Sequence, residues 1–288
     1  MEKQQVDNTE VLAHLIGTLE PETTTPFDIN LIGDYNVTGD MWQYTPLLDE
    51  LGIRVLSTLS GDGRVAAIRT AHRAKLNVLV CAKSLVSLTR KMEERYGIPS
   101  LSLSFYGKRD TSAGLLAIAT ALGDADLIAR TRALIIREEA RLEVELAPYR
   151  ALFAGKKAVL NTGGNKAWSI AAALQDLGIE VVATAVGKST EDDRERARQY
   201  LGAGGVLMTR PGQEQARIID ETRADLLLAG GRSLYTAIKK GIAFADVNQE
   251  KKKSYGGYRG LLNLAADLRH ALETPVFRNV ARRAPWEE

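Results

Sequence analysis

Short continuous apolar runs alternate with segments of helical period along the whole chain, and Gly, Asn or Asp bounds most of the runs. Runs of this kind read as strands buried on both faces, and their alternation with helices is the pattern of parallel βαβ units. A first series of strands is predicted near residues 29–33, 53–59, 76–80 and 101–105. A helix over 42–51 sits among them, with Leu47, Leu48 and Leu51 on one face and Gly52 as its C-cap. A second series is predicted at 158–161, 181–185, 206–209 and 226–229, separated by helices over 167–177, 191–201 and 213–222. Between the two series, 126–152 reads as one long amphipathic helix. Its interleaved Arg137, Glu138, Glu139, Arg141 and Glu143 form a solvated, ion-paired face. A short helix at 11–16 precedes a Thr-rich, Pro-bracketed linker.

The pattern therefore predicts an α/β protein with two Rossmann-like lobes, each with a parallel sheet, joined by a long helix and preceded by a short N-terminal helix. The expected divisions are 1–26 for helix and linker, 27–125 for the first lobe, 126–154 for the connecting helix and 155–288 for the second lobe and C-terminal helix. Pro148 and Gly155 punctuate the boundary.

Composition narrows the classes. With 45% hydrophobic and 26% charged residues, the 288-residue chain has enough apolar material for two packed cores and too much for a disordered one. A formal net charge of +2 gives no reason to expect a nucleic-acid partner. No apolar run is long enough for a membrane span, so a soluble cytoplasmic protein is expected. The lone cysteine, Cys81, excludes an internal disulfide framework and a self-sufficient four-cysteine cluster site.

In open parallel sheets, ligands bind where strand C-termini meet helix N-termini. Cys81 follows the strand at 76–80, where a helix N-terminus and Lys83 would favour the thiolate; position alone favours a buried cysteine acting as a small hydrophobe. Thr162-Gly163-Gly164-Asn165-Lys166 follows the first strand of the second series. Its glycines suit an anion site with Lys166 as the charge, or a tight βα turn, and the spacing is not that of a P-loop. Gly230-Gly231-Arg232 is a similar turn, with Arg232 able to clamp a carboxylate. Asn248-Gln249-Glu250 follows the apolar 242–244 stretch and reads as binding residues or plain loop. It leads through the aromatic turn Tyr255-Gly256-Gly257-Tyr258, expected to be flexible, into the last helix. His14, His72 and His270 show no metal-ligand spacing.

The order and surroundings of these strings are more telling than any one of them. Asp28-Ile29-Asn30-Leu31-Ile32-Gly33-Asp34-Tyr35-Asn36, Val80-Cys81-Ala82-Lys83-Ser84, Glu93-Glu94-Arg95-Tyr96-Gly97-Ile98-Pro99, Thr162-Gly163-Gly164-Asn165-Lys166-Ala167-Trp168-Ser169, Ala229-Gly230-Gly231-Arg232 and Val247-Asn248-Gln249-Glu250 together resemble the nitrogenase component-one family, from about His14 to the C-terminus. The resemblance implies that Cys81 matches the cysteine ligand of the iron–molybdenum cofactor. It also implies that Asn248 stands where catalytic subunits have a histidine ligand. That departure is the pattern of the α-like subunit of the family's cofactor-assembly scaffold. The implied cargo is an iron–sulfur precursor of the cofactor, with molybdenum and homocitrate as further components, held in a cleft between the lobes; the isolated chain purified in air is expected to carry little or no metal. Lys83, Gly163, Gly164, Lys166, Arg232 and Asn248 are the implied cofactor-binding residues, with Cys81 as metal ligand and no catalytic residue. The implied partners are a β-like scaffold subunit and the proteins that donate and accept the cofactor, with no nucleic acid and no membrane. The resemblance further implies that the family's N-terminal lobe, with its cluster cysteines, has no counterpart here. A catalytic reductase subunit of the same family and, more distantly, a two-lobed sugar-nucleotide enzyme are the alternatives.

Overall fold

The computed structural model describes residues 2–36, 38–80, 85–164, 166–248 and 252–280, with side chains described from residue 9 onward, residue 278 excepted. The fold is α/β with two parallel sheets, and the chain divides into two compact units: Met1–Phe105 with Asp110–Glu139, and Tyr106–Arg109 with Ala140–Glu288.

The first unit runs α1 (Glu2–Leu15), β1 (Asp28–Ile32), α2 (Met41–Glu50), β2 (Arg54–Leu59), α3 (Val65–Thr70), β3 (Leu76–Leu79), α4 (Val86–Tyr96) and β4 (Ser100–Ser102). Then come α5 (Lys108–Leu122) and α6 (Ala125–Phe153), whose residues are divided between the units. The strands pair in parallel in the order β2-β1-β3-β4. Every residue of β1 and β3 is buried, which is why both read as largely apolar runs. Two asparagines interrupt those runs for a reason. Asn30 and Asn77 face each other in register, and Asn30 Nδ2 donates to Asn77 Oδ1 at 2.8 Å and to the Ala71 carbonyl at 2.9 Å. A one-residue slip of β3 would leave these buried amides without each other.

α1 is longer than the 11–16 segment expected, because its first half is polar and carries no apolar stripe to betray it. Its end is anchored: Ala13 and Ile16 pack with Leu88 and Met92, and Tyr96 Oη donates to the Ile16 carbonyl at 2.8 Å. Pro148 lies inside α6 and does not end it. Proline removes one backbone donor, toward residue 144, and the helix runs on to Phe153 before Gly155 turns the chain at φ 73°.

The second unit runs β5 (Lys157–Asn161), α7 (Lys166–Asp176), β6 (Glu180–Ala185), α8 (Glu191–Gln199), β7 (Val206–Met208) and α9 (Pro211–Thr222). It continues with β8 (Leu226–Ala229), α10 (Leu234–Lys240), β9 (Ala243–Asp246), α11 (Gly257–Glu273) and α12 (Val276–Val280). Its parallel sheet has the order β7-β6-β5-β8-β9. β9 was legible only as an apolar stretch; it pairs with β8 at the sheet edge. The consecutive residues Ala167–Leu174 of α7 are all buried, and the alanines among them let the helix lie close to its neighbours. Trp168 Nε1 donates to Asp193 Oδ1 at 2.8 Å, and Asp193 also closes the capping box with Thr190 at the start of α8. The Tyr255–Tyr258 turn, expected to be flexible, is packed: both tyrosines are buried, and a Cβ on Gly260 would stand 2.2 Å from the Tyr255 carbonyl carbon.

Asp28 is a buried, heavily bonded acid of the first unit. Its carboxylate accepts from Arg54 Nε at 2.7 Å, Arg54 Nη2 at 2.6 Å, the Thr25 amide at 2.8 Å and Thr25 Oγ1 at 2.6 Å. Burial pushes the carboxyl upward, but the bonds from Arg54 and Thr25 outweigh it and hold it below the ordinary range. A carboxyl depressed in the folded state stabilises fully above its unfolded value of about 4, and that contribution is lost as pH falls through the folded value. Asp28→Asn is therefore expected to cost about 2 kcal/mol at neutral pH, since Arg54 is partly solvated. The difference from the unaltered chain should shrink below pH 4, as read by denaturant midpoints across the acid range.

Candidate functional site

The order β7-β6-β5-β8-β9 places a topological switch between β5 and β8, since the chain leaves β5 toward β6 on one side and returns to β8 on the other. The turns beyond these two strands are Thr162-Gly163-Gly164 and Gly230-Gly231-Arg232. Pairing of Asn161 with Ala229, and of Ala229 with Asp246, sets both turns beside Val247-Asn248 at the end of β9. Three of the sequence candidates thus converge because three parallel strands end in register.

Side chains fix the geometry. Asn161 Nδ2 donates to Gln215 Oε1 at 2.7 Å and to Ser233 Oγ at 3.2 Å, tying the end of β5 to α9 and to the Gly231–Ser233 turn. Lys166, the first residue of α7, reaches across to the Val247 carbonyl at 3.4 Å and lies 6.0 Å from the centroid of the Tyr106 ring. The backbone N–H of Asn248 donates to Asp246 Oδ1 at 2.8 Å, which sets the loop after β9. A Cβ on Gly230 would lie 3.1 Å from Asn248 Nδ2, so this glycine makes room for the asparagine amide. Arg232 follows on the same turn with an exposed side chain.

Tyr106 and Lys188 are site neighbours that the sequence reading missed. Tyr106 belongs to a four-residue segment that joins the second unit. Its backbone bridges to Gly256, and Lys108 N, Arg109 N and Arg109 Nε all donate to the buried carboxylate of Asp176 at the end of α7, at 2.7, 3.2 and 2.7 Å. A residue that leaves one series to dock on the other carries no periodic signal. Lys188 was legible: it sits in the turn after β6, the kind of position that singled out the glycine turns. Its stem lies against Gly163, where an added Cβ would be 3.2 Å from the Lys188 Cβ.

Cys81 and Lys83 lie outside the described residues. What can be placed is the strand before them: Val80 N donates to the Ile32 carbonyl at 2.9 Å beyond the C-terminal end of β3. No group of three or more His, Cys, Asp or Glu side chains suited to a metal ion occurs among the described residues. The second unit's site thus offers cations, amides and backbone rather than soft metal ligands. Two buried oxygens at these strand ends, Thr162 Oγ1 and Asp246 Oδ2, have no hydrogen-bond partner. Of these, the Thr162 hydroxyl can donate or accept and the Asp246 carboxylate oxygen only accepts; the cationic groups at these strand ends are Lys166 and Arg232, and the glycine turns leave the backbone open to close approach. No helix among the described residues is long and apolar enough to cross a membrane.

Comparison with known proteins agrees with this layout. Residues 6–273 match the family model of nitrogenase component 1 type oxidoreductases. A Nostoc protein, nitrogenase iron–molybdenum cofactor biosynthesis protein NifE, is 51% identical over 279 residues, covering 96% of this chain and 58% of its own length. The protein of the same name from Klebsiella pneumoniae is 48% identical over 260 residues, covering 90% of this chain and 57% of its own. The chain therefore spans under two thirds of the length of these curated relatives. Among solved structures, nitrogenase Cp1 at pH 6.5 superposes with a TM-score of 0.85 at 21% identity, covering 98% of this chain and 64% of that one, a likeness of fold.

The packing of Gly230 against Asn248 gives a direct check. Gly230 has an extended backbone, so alanine is sterically possible there, at a cost of less than about 1 kcal/mol. Gly230→Ala is expected to shift the NMR side-chain amide resonances of Asn248 while leaving the melting temperature nearly unchanged. Unmoved resonances would contradict the contact.

Proposed function

Since the chain belongs to the nitrogenase component 1 type oxidoreductase family, we propose that it is, or is part of, a scaffold subunit for assembly of the iron–molybdenum cofactor, and that its cargo is an iron–sulfur precursor of that cofactor. The observation that carries this reading is Asn248. Its backbone is fixed by Asp246 and its amide packs at Gly230, at the position where the family resemblance implies an imidazole ligand in catalytic subunits. An amide oxygen is a poor ligand for a soft iron or molybdenum centre. Cargo held by the thiolate of Cys81 and by charge complementarity is releasable, which suits a scaffold and not a permanent active site.

The remaining roles follow from charge. Lys166 and Arg232 present cations at the strand ends of the second unit, and Lys83 follows Cys81 in sequence. Their positive charges would offset the charge of a sulfide-coated polyanion. Arg232, with its planar guanidinium, is the residue for a carboxylate of an organic acid component such as homocitrate. A β-like partner subunit, proteins that deliver and receive the cluster, and a reducing cytoplasmic setting complete the proposal.

Anaerobic loading with ferrous iron and sulfide tests it, with iron counted after gel filtration, on the chain alone and in a form extended by the additional region of its relatives. Cys81→Ala is expected to abolish iron retention in whichever form holds it. Asn248→His is expected to slow release to an acceptor by about tenfold, because imidazole adds a ligand. Unchanged retention in Cys81→Ala would sink the anchoring role, and unchanged release in Asn248→His would remove the account of Asn248.

A further inference from the structure

We propose that Lys188 is a further binding residue of this site, a cation held over the Gly163 turn from the neighbouring strand to grip an anionic metal–sulfide cargo; the proposal rests on the scaffold reading above. The first observation is contact. A Cβ built on Gly163 would lie 3.2, 3.8 and 3.7 Å from Cβ, Cγ and Cδ of Lys188, so the aliphatic stem runs along the bare backbone of that turn. Glycine at 163 and lysine at 188 are matched: the first leaves the groove that the second occupies.

The second observation is that the loop carrying Lys188 is fastened on both sides of it. Val186 N donates to the Met208 carbonyl at 2.8 Å, and a Cβ on Gly187 would stand 2.7 Å from the Thr209 carbonyl oxygen, so the loop lies tight against the end of β7. On the other side, buried Ser189 donates through its N–H to the Val186 carbonyl at 3.0 Å and through Oγ to the Gly164 carbonyl at 3.4 Å. Thr190 then caps α8, whose Asp193 is bonded to Trp168 of α7. The turn after β5 and the loop after β6 are thereby tied to one another, and Lys188 is the exposed cation on that tie. With Lys166 opening α7, two lysines and a helix N-terminus share the Gly163-Gly164 turn. That sum of positive potential favours a polyanion over a monovalent ion. Fixing the stem also reduces the side-chain entropy that a free surface lysine would lose on binding.

Tetrathiomolybdate, a compact sulfide-coated dianion with its own visible spectrum, is a suitable probe for the full chain by equilibrium dialysis under anaerobic conditions. Lys188→Ala is expected to weaken binding about three- to tenfold and to flatten its salt dependence, as loss of one partly screened charge contact requires. Lys188→Arg should stay within about twofold of the unaltered chain. Lys75→Ala, an exposed lysine of the first unit, should change nothing. Equal thermal midpoints would show that the variants fold alike. If Lys166→Ala weakens binding while Lys188→Ala does not, the proposal for Lys188 is overturned and the scaffold reading stands. If the unaltered chain binds no tetrathiomolybdate, or neither lysine matters, the proposal for Lys188 is overturned, and the scaffold reading stands or falls on the iron-loading test above.

Discussion

Parallel pairing of β5 with β8 and of β8 with β9 governs everything else in the second unit. Because the three strands run the same way, their carbonyl ends open along one edge of the sheet, and their register decides which turn residues meet there. Asn161 opposite Ala229, and Ala229 opposite Asp246, brings the Gly163, Gly230 and Asn248 loops together. The polar knot of Asn161, Gln215 and Ser233 resists a slip, since moving β5 by one residue would turn Asn161 to the other face. The site's chemistry is a consequence of register before it is a consequence of residue identity.

Lys166 at this edge is placed by neutral groups among others: it lies 3.4 Å from the Val247 carbonyl and 6.0 Å from the centroid of the Tyr106 ring. The ion pairs on α6 differ. Glu143 is drawn below the usual carboxylate range by Lys108 first and by Arg150, and Arg137 is bonded to both Glu50 and Glu138. Those charges have satisfied each other, which agrees with reading the helix as a solvated structural face.

Much of the architecture was legible because buried parallel strands leave apolar runs that local pattern can find: β1, β2, β3, β5, β6 and β8 fall within a residue or two of the predicted runs. What was hidden had physical reasons. β9 is short and begins among lysines and glycine, so it read as an apolar stretch. α5 opens with Lys108, Arg109 and Asp110, whose roles are set by partners distant in sequence. The first half of α1 has no apolar face. At the site, the glycine turns, Lys166 and Asn248 were found from their place after strands. The contact between Lys166 and Val247 and the stem of Lys188 on Gly163 depend on strand order, which the sequence pattern does not state. The family resemblance supplied Cys81 as metal ligand and the meaning of Asn248; residue pattern alone left both open.

The central claim is that the strand ends of the second unit face a metal–sulfide cargo. Iron anomalous diffraction from crystals grown after anaerobic loading tests it most directly. The account predicts an anomalous peak beside the turn at Gly163-Gly164, within reach of Lys166 and of the loop that carries Asn248. Ordered iron bound elsewhere on the chain, with these strand ends empty, would contradict it.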